Sequence, residues 1–276
     1  MIEEEIINIV ICYNNASEVM EYYNEILSLD EGYKVGYVVV INSSTGEDVD
    51  SLLSFGKENN HVYIFNPGKN LGYMNGLLHG YRRYREQTGL LPKYVIMSNT
   101  DIKYVNKTFF TDLFAKNYPR DLACVGPSIL VNEYKSYDNP VSDNRYTKKQ
   151  INRWINIFST PVLREVYVTA SFIKPKIIKR KKDNSSRYVY EVHGCYFILS
   201  SMFAEYIKNK EFGVLLYSEE TFISENIYLN NWKSYYDSEL EVIHMEHATT
   251  SKLKPTRRAL LSAESMIWIR DTFFCN

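Results

Sequence analysis

The sequence predicts an α/β fold on a mostly parallel central sheet flanked by helices. Three observations carry that expectation. Between Ile6 and Asp101, short β-branched apolar runs alternate with segments of helical apolar spacing. Every one of those runs ends in small polar residues. The apolar fraction, 45% of 276 residues, suffices for a sizeable core in one large domain or two modest ones.

The first strand is expected over Ile6 to Cys12, followed by Tyr13-Asn14-Asn15. Ala16 to Leu29 has helical spacing, with Ser17 as N-cap. Val35 to Ile41 is the second strand and runs into Asn42-Ser43-Ser44-Thr45-Gly46. A short helix over Val49 to Phe55, a third strand over Val62 to Phe65 and a loop from Asn66 to Gly72 follow. Met74 to Arg85 reads as a helix, and Tyr94 to Met97 as the fourth strand, which breaks at Ser98-Asn99-Thr100-Asp101. Alternation at this spacing implies parallel pairing. The polar tips near Asn14, Asn42, Asn70 and Asp101 then line one edge of the sheet, where ligands of open α/β sheets bind. A carboxylate there can hold a divalent cation, and the cation a diphosphate. The same residues would also serve as turn and capping residues. The loop before the fourth strand is neither a Walker A motif nor a Rossmann fingerprint. Gly72 and Gly76 can admit close backbone approach to a ligand, and Asn70 and Asn75 can bond a base or ribose; the alternative is helix-entry chemistry.

Beyond Asp101 the pattern loosens. A helix is expected over Phe109 to Phe114 and a short strand over Leu122 to Val125, ended by Gly126-Pro127. Asn132 to Tyr146 reads as a long binding loop, Thr147 to Phe158 as a helix and Val166 to Ile173 as a β-prone run. The basic run from Lys174 to Lys182 is a solvated loop or a contact for anionic lipid head groups. His193-Gly194 separates the apolar runs Tyr188 to Val192 and Cys195 to Leu199. Gly194 can bring backbone close to a bound sugar, and His193 is structural or functional. Ser201 to Lys208 reads as a helix. Ser218 caps the next one, to about Trp232, with Glu219 and Glu220 in its first turn. They answer the helix dipole, or one of them is an ionised general base. Leu240 to Ile243 is the last β-like run. Of the histidines that follow, His244 and His247, either can bind a metal, but Met245 between them rules out HExxH. Ala259 to Phe274 is amphipathic, a packing or docking helix.

The net charge of −1 argues against a nucleic-acid partner. No apolar run approaches the ~20 residues of a membrane span. Glu3-Glu4-Glu5 is the opposite of a signal peptide's basic region. The four cysteines make no CxxC pair or zinc spacing, and Cys12, Cys124 and Cys195 lie in apolar runs as expected of buried thiols in a reducing compartment. A cytoplasmic protein is expected, with peripheral contact at the inner face of a membrane left open. The 24 tyrosines suit a sugar or lipid-carrier groove, or half-buried packing.

Five landmarks now stand in order: Ile9-Val10-Ile11-Cys12-Tyr13-Asn14, Val39-Val40-Ile41-Asn42-Ser43-Ser44-Thr45, Asn66 to Gly76, Ser98-Asn99-Thr100-Asp101, and Leu216-Tyr217-Ser218-Glu219-Glu220 with Val242-Ile243-His244. In that order they resemble the family 2 inverting glycosyltransferases of the GT-A fold, over roughly residues 6 to 251. Bacterial surface-polysaccharide transferases, including rhamnosyltransferase-like members, are the nearest in kind. Ile41 stands where the family often has a base-contacting Asp, and Glu219-Glu220 where Glu-Asp is commoner.

The resemblance implies a nucleoside-diphosphate sugar donor held by Tyr13, Asn14, Asn42, Asn70, Gly72, Asn75, Asn99 and Asp101. It implies Mn²⁺ or Mg²⁺ on Asp101 with His244 or His247. Glu220, or else Glu219, would be the base toward a carbohydrate or lipid-linked sugar acceptor near His193 and Gly194. Residues 1–105 would be the nucleotide-sugar half, 106–251 the acceptor and catalytic half, and 252–276 a helical segment. Two rivals stand beside it: a nucleotidyltransferase on a related fold, and a non-catalytic nucleotide-sugar-binding protein. Cys12-Tyr13-Asn14-Asn15 lacks the glycine-rich basic signature expected of the first; Ile41 keeps the second in view.

Overall fold

The computed structural model describes residues 5–245 and 254–275, with the backbone alone for residues 171–177. Four parallel strands form its first part: β1 (Ile6–Cys12), β2 (Val35–Ile41), β3 (Val62–Phe65) and β4 (Tyr94–Ser98). β1 lies between β2 and β4, and β3 lies outside β2. The crossovers are α1 (Ala16–Leu27), α2 (Gly46–Glu58) and α3 (Tyr73–Thr88). The expected alignment of polar tips is present as direct contacts. The Asn14 amide donates to Ser44 Oγ (3.2 Å), Asn42 Nδ2 to the Gly72 carbonyl (3.0 Å) and Asn15 Nδ2 to Thr100 Oγ1 (3.2 Å).

The second part adds β5 (Ile102–Tyr104), α4 (Phe109–Ala115), β6 (Leu122–Val131), β7 (Ser136–Tyr137), α5 (Lys148–Ser159), α6 (Pro161–Ile177), β8 (Arg187–Val189), β9 (Tyr196–Ser200), α7 (Ser201–Ile207), α8 (Glu219–Leu229), β10 (Lys233–His244) and α9 (Pro255–Phe273). The sheet order is β3-β2-β1-β4-β9-β6-β10-β5, with β7 on β6 and β8 on β10. β9 runs antiparallel between β4 and β6, so the parallel order of the first four strands continues into a mixed sheet.

β1 alternates between two core layers. Ile6, Val10 and Cys12 pack with Tyr22, Leu52 and Phe110 on one face. Ile7 and Ile9 pack with Leu77, Tyr81, Phe203 and Phe222 on the other. Each such fully buried side chain is worth about 1.5–3 kcal/mol, so both faces resist loss of the central strand.

Several expectations are corrected. Ser17 lies inside α1, whose N-cap is Asn15. β6 does not end at Gly126-Pro127; it runs on to Val131. Proline, which lacks an N–H, is accommodated where the β10 register shifts after Asp237 opposite Pro127. The run Leu240 to Ile243 is only the end of the 12-residue β10. The β-prone Val166 to Ile173 is helical, within α6, which begins at Pro161, a residue suited to a first helical position. The stretch from Asn132 to Tyr146 contains β7 and a bridge from Ser142 to Glu191. The basic run is partly tied down: Arg180 Nη2 donates to the Pro140 carbonyl (2.9 Å), and Lys182 pairs with Glu241 (2.6 Å). Glu3, Glu4 and His247 lie outside the described residues.

Candidate active site

The sheet register builds the first part of the site. β10 pairs antiparallel with β5, placing His244 opposite Ile102, and the Met245 amide donates to the Asp101 carbonyl (2.9 Å). His244 Nε2 is thereby 3.4 Å from Asp101 Oδ1 and 3.3 Å from Asn99 Nδ2. Asp101 is 6% and His244 8% exposed, so both polar groups face a largely dry environment. Asn99 is anchored through its amide, which donates to the Cys195 carbonyl (2.9 Å).

The second part arrives on the N-terminus of α8. Glu220 Oε1 accepts the Gly194 N–H at 3.1 Å. A Cβ on Gly194 would stand 2.7 Å from that same oxygen, so the glycine admits the chain's own carboxylate. His193 is its neighbour. Its amide donates to Asn139 Oδ1 (2.7 Å), its Nδ1 accepts from the Cys195 amide (3.2 Å), and its ring lies 6.1 Å from that of His244. The three residues from His193 to Cys195 therefore join the Asn99–Asp101 tip to Glu220.

Glu219 and Glu220 differ in what they touch. Glu219 is buried and its Oε1 accepts the Tyr217 N–H at 2.9 Å. Burial, then the charge of Glu220, pushes its carboxyl up to about 8. A third carboxylate, Glu191, had no role in the sequence reading. It is buried and accepts from the Tyr146 hydroxyl (2.8 Å) and from Thr221 Oγ1 (2.9 Å) on the first turn of α8. Its carboxyl is also pushed up to about 8, by burial and then by Glu220. The signal for it was a lone acid inside the apolar run Tyr188 to Val192. Behind it, Glu225 is wholly buried and takes Arg145 through two bonds of 2.8 and 2.7 Å.

No family model matches this sequence, and comparison with curated proteins finds no match. Solved structures do match in shape. GalNAc-T7 with UDP, GalNAc and Mn²⁺ superposes with a TM-score of 0.62 at 13% identity, covering 98% of this chain and 48% of that one. The mannosyltransferase PcManGT from Pyrobaculum calidifontis, with GDP-Man and Mn²⁺, gives 0.55 at 10% identity, covering 99% and 73%. The fold is the GT-A glycosyltransferase fold. The chain spans about half the length of the GalNAc-T7 chain.

Within this GT-A sheet, the loops beyond β1 to β3 hold one another. Asn42 Oδ1 accepts the Leu71 N–H (2.6 Å), and Asn70 Oδ1 accepts the Gly72 N–H (2.8 Å). Gly72 has a φ of +80°, and a Cβ there would meet the Leu215 carbonyl oxygen at 2.5 Å. Asn75 closes both ends of its amide on the Phe212 backbone, at 2.7 and 2.9 Å. Asn42, Gly72 and Asn75 thus organise the loop after β3 and clip it to the segment leading into α8, while Tyr13 and Asn14 stay exposed. Asn14, Ser43, Tyr217 and Ser218 all have positive φ, which concentrates backbone strain on the loops around this edge. The strained turn before α8 leans on α9. Ser218 Oγ lies 2.8 Å from Ser265 Oγ, and Phe212 packs edge-on to Trp268 at 5.1 Å.

The side chains at the tip offer a carboxylate oxygen, which suits hard cations such as Mn²⁺ and Mg²⁺, and an imidazole nitrogen, which suits borderline ones. Among the described residues, no cluster of three or more His, Cys, Asp or Glu is placed to hold an ion. Asp101 and His244 would supply two ligands to a cation at this tip.

Proposed function

We propose that this protein is a metal-dependent, inverting glycosyltransferase that moves a sugar from a nucleoside diphosphate to a hydroxyl acceptor. The observation that carries the reading is the bridge from His193 to Cys195, which sets Glu220 beside the tip holding Asp101 and His244. The GT-A fold supports it, as do neighbours solved with UDP and GalNAc or with GDP-Man and Mn²⁺.

Glu220 takes the proton of the acceptor hydroxyl as its oxygen attacks the anomeric carbon opposite the departing diphosphate. One displacement gives inversion, with no sugar held covalently. The Gly194 N–H fixes the carboxylate through Oε1. A divalent cation bound by Asp101 and His244 would neutralise charge on the leaving diphosphate. Asn99 Nδ2 lies 3.3 Å from the same His244 Nε2 and would give up that contact when the nitrogen takes the cation. Positioned proton transfer of this kind is worth about 10²–10⁴-fold in rate. The acceptor is a carbohydrate or lipid-linked sugar, in keeping with bacterial polysaccharide assembly on the cytoplasmic side of a membrane. No described helix is long and apolar enough to cross a membrane.

The test is a thermal-shift panel of UDP, GDP, dTDP and CDP, each with Mn²⁺ and with chelator. A ligand at ~100 times its Kd adds ~2.7 kcal/mol of stability. One nucleotide should shift the melt only with metal, and Glu220→Gln should keep that shift while losing transfer. Retained transfer in Glu220→Gln rejects the base assignment. A non-catalytic nucleotide-sugar binder is the second reading, favoured by Ile41 and by the commitment of Asn42 to its own loop. It predicts the metal-dependent shift with no turnover in the wild-type protein.

A further inference from the structure

We propose that α6 is a membrane-surface helix that seats this protein on anionic phospholipid. Over its first ten residues α6 turns apolar side chains outward. Val162, Leu163, Val166, Tyr167 and Ala170 are exposed, Val162 at 71% and Val166 at 64%. At roughly 100° per residue they share one continuous face. Of the polar residues in the same turns, Arg164 is half-buried while Glu165 and Thr169 are exposed beside that face. Arg164 Nη1 donates to the Phe158 carbonyl (3.2 Å), and Glu165 Oε1 accepts from Thr256 of α9 (3.4 Å). Val168 packs on the small cluster of Phe158, Ala259 and Ala263. An outward apolar face of this kind marks an interaction site.

Charge and residue type select the occupant. Exposed Ile178 follows the helix, and Lys179 and Lys181 beyond it are exposed, while Arg180 and Lys182 are held by the protein. Trp154 and Tyr167, half-exposed around Phe158, are the aromatic types that settle at lipid head-group level. A helix with an outward apolar face and exposed lysines just past its end suits the interface of an anionic bilayer. The inference does not depend on glycosyl transfer, and its test does not use activity.

The full chain is sedimented with phosphatidylcholine vesicles, with and without phosphatidylglycerol, at low and high salt. Binding should require phosphatidylglycerol and weaken with salt. V162D/V166D should reduce it by tenfold or more at an unchanged melting temperature; these side chains are exposed, so the fold tolerates them. K179E/K181E, outside regular structure, should weaken binding at roughly fivefold per lysine lost. Equal binding to both vesicle types, or binding indifferent to V162D/V166D, overturns the proposal. So does light scattering showing a dimer that V162D/V166D dissociates with no vesicle binding; the face would then serve a second copy of the chain.

Discussion

Glu191 and Glu219 are both held protonated to about pH 8 in the folded chain, against an ordinary value of 4.5. Between those pH values the folded form keeps protons that the unfolded form has released. The contribution of these two groups is therefore full below about pH 4.5 and declines as pH rises through the window. Glu191→Gln should flatten that decline and leave the protein more stable at pH 8 by at least about 1 kcal/mol, with little gain at pH 4.5. Urea unfolding at the two pH values measures it; an equal effect at both would reject the assignment. At this scale the sequence was partly legible. Asp101 and His244 stood out because each follows an apolar strand. The register favoured Glu220 over Glu219, but the bond that takes Glu219 back to the Tyr217 amide was not visible. Glu191 and Glu225 were missed because their partners, Tyr146 and Arg145, are brought to them only by the fold.

The segment from Phe212 to Ser218 is held by α3 and α9 at once. Asn75 holds Phe212 from α3, the Leu215 carbonyl accepts the Tyr73 amide, and Ser265 of α9 meets Ser218. Gly213 is the tight point: a Cβ there would stand 1.9 Å from Trp268 Nε1. Gly213→Ala should cost about 1–3 kcal/mol by overpacking. In a Trp268→Leu background most of that cost should vanish, a coupling of about 1 kcal/mol or more in a double-mutant cycle. Additive effects would show that α9 does not press on the segment. Helices with strong periodicity, such as α3 and α5, were readable from the sequence. α6 was not, since Val166, Val168 and Ile173 favour strands locally while the spacing of Val162, Val166 and Ala170 is helical. β6 was cut short because a proline inside a strand is admissible only where the neighbouring register slips, and β10 lies far along the chain.

Across the molecule, β4 ties the parallel strands to the mixed ones, because β1 and β9 pair on its two sides. A line of buried hydroxyls crosses the same boundary. Ser98 meets Tyr22 (3.1 Å), Tyr22 meets Tyr104 (3.0 Å), and Tyr104 meets Tyr196 (3.0 Å). The parallel half was legible because its strands are local and separated by single helices. The mixed half was not, because β9 reaches β4 and β6 only through long-range pairing. The tyrosines that suggested a groove in the sequence prove, in this line, to be core residues.

Those buried phenols give the protein an optical signature in alkali. Burial holds Tyr22, Tyr37, Tyr104 and Tyr196 well above the usual phenol value of 10. They cannot become phenolate while the fold is closed. Phenolate absorbance should rise gradually around ~pH 10 for exposed tyrosines and then jump as the chain opens. The jump should coincide with loss of circular dichroism. A single smooth curve around pH 10 would mean that water already reaches these rings.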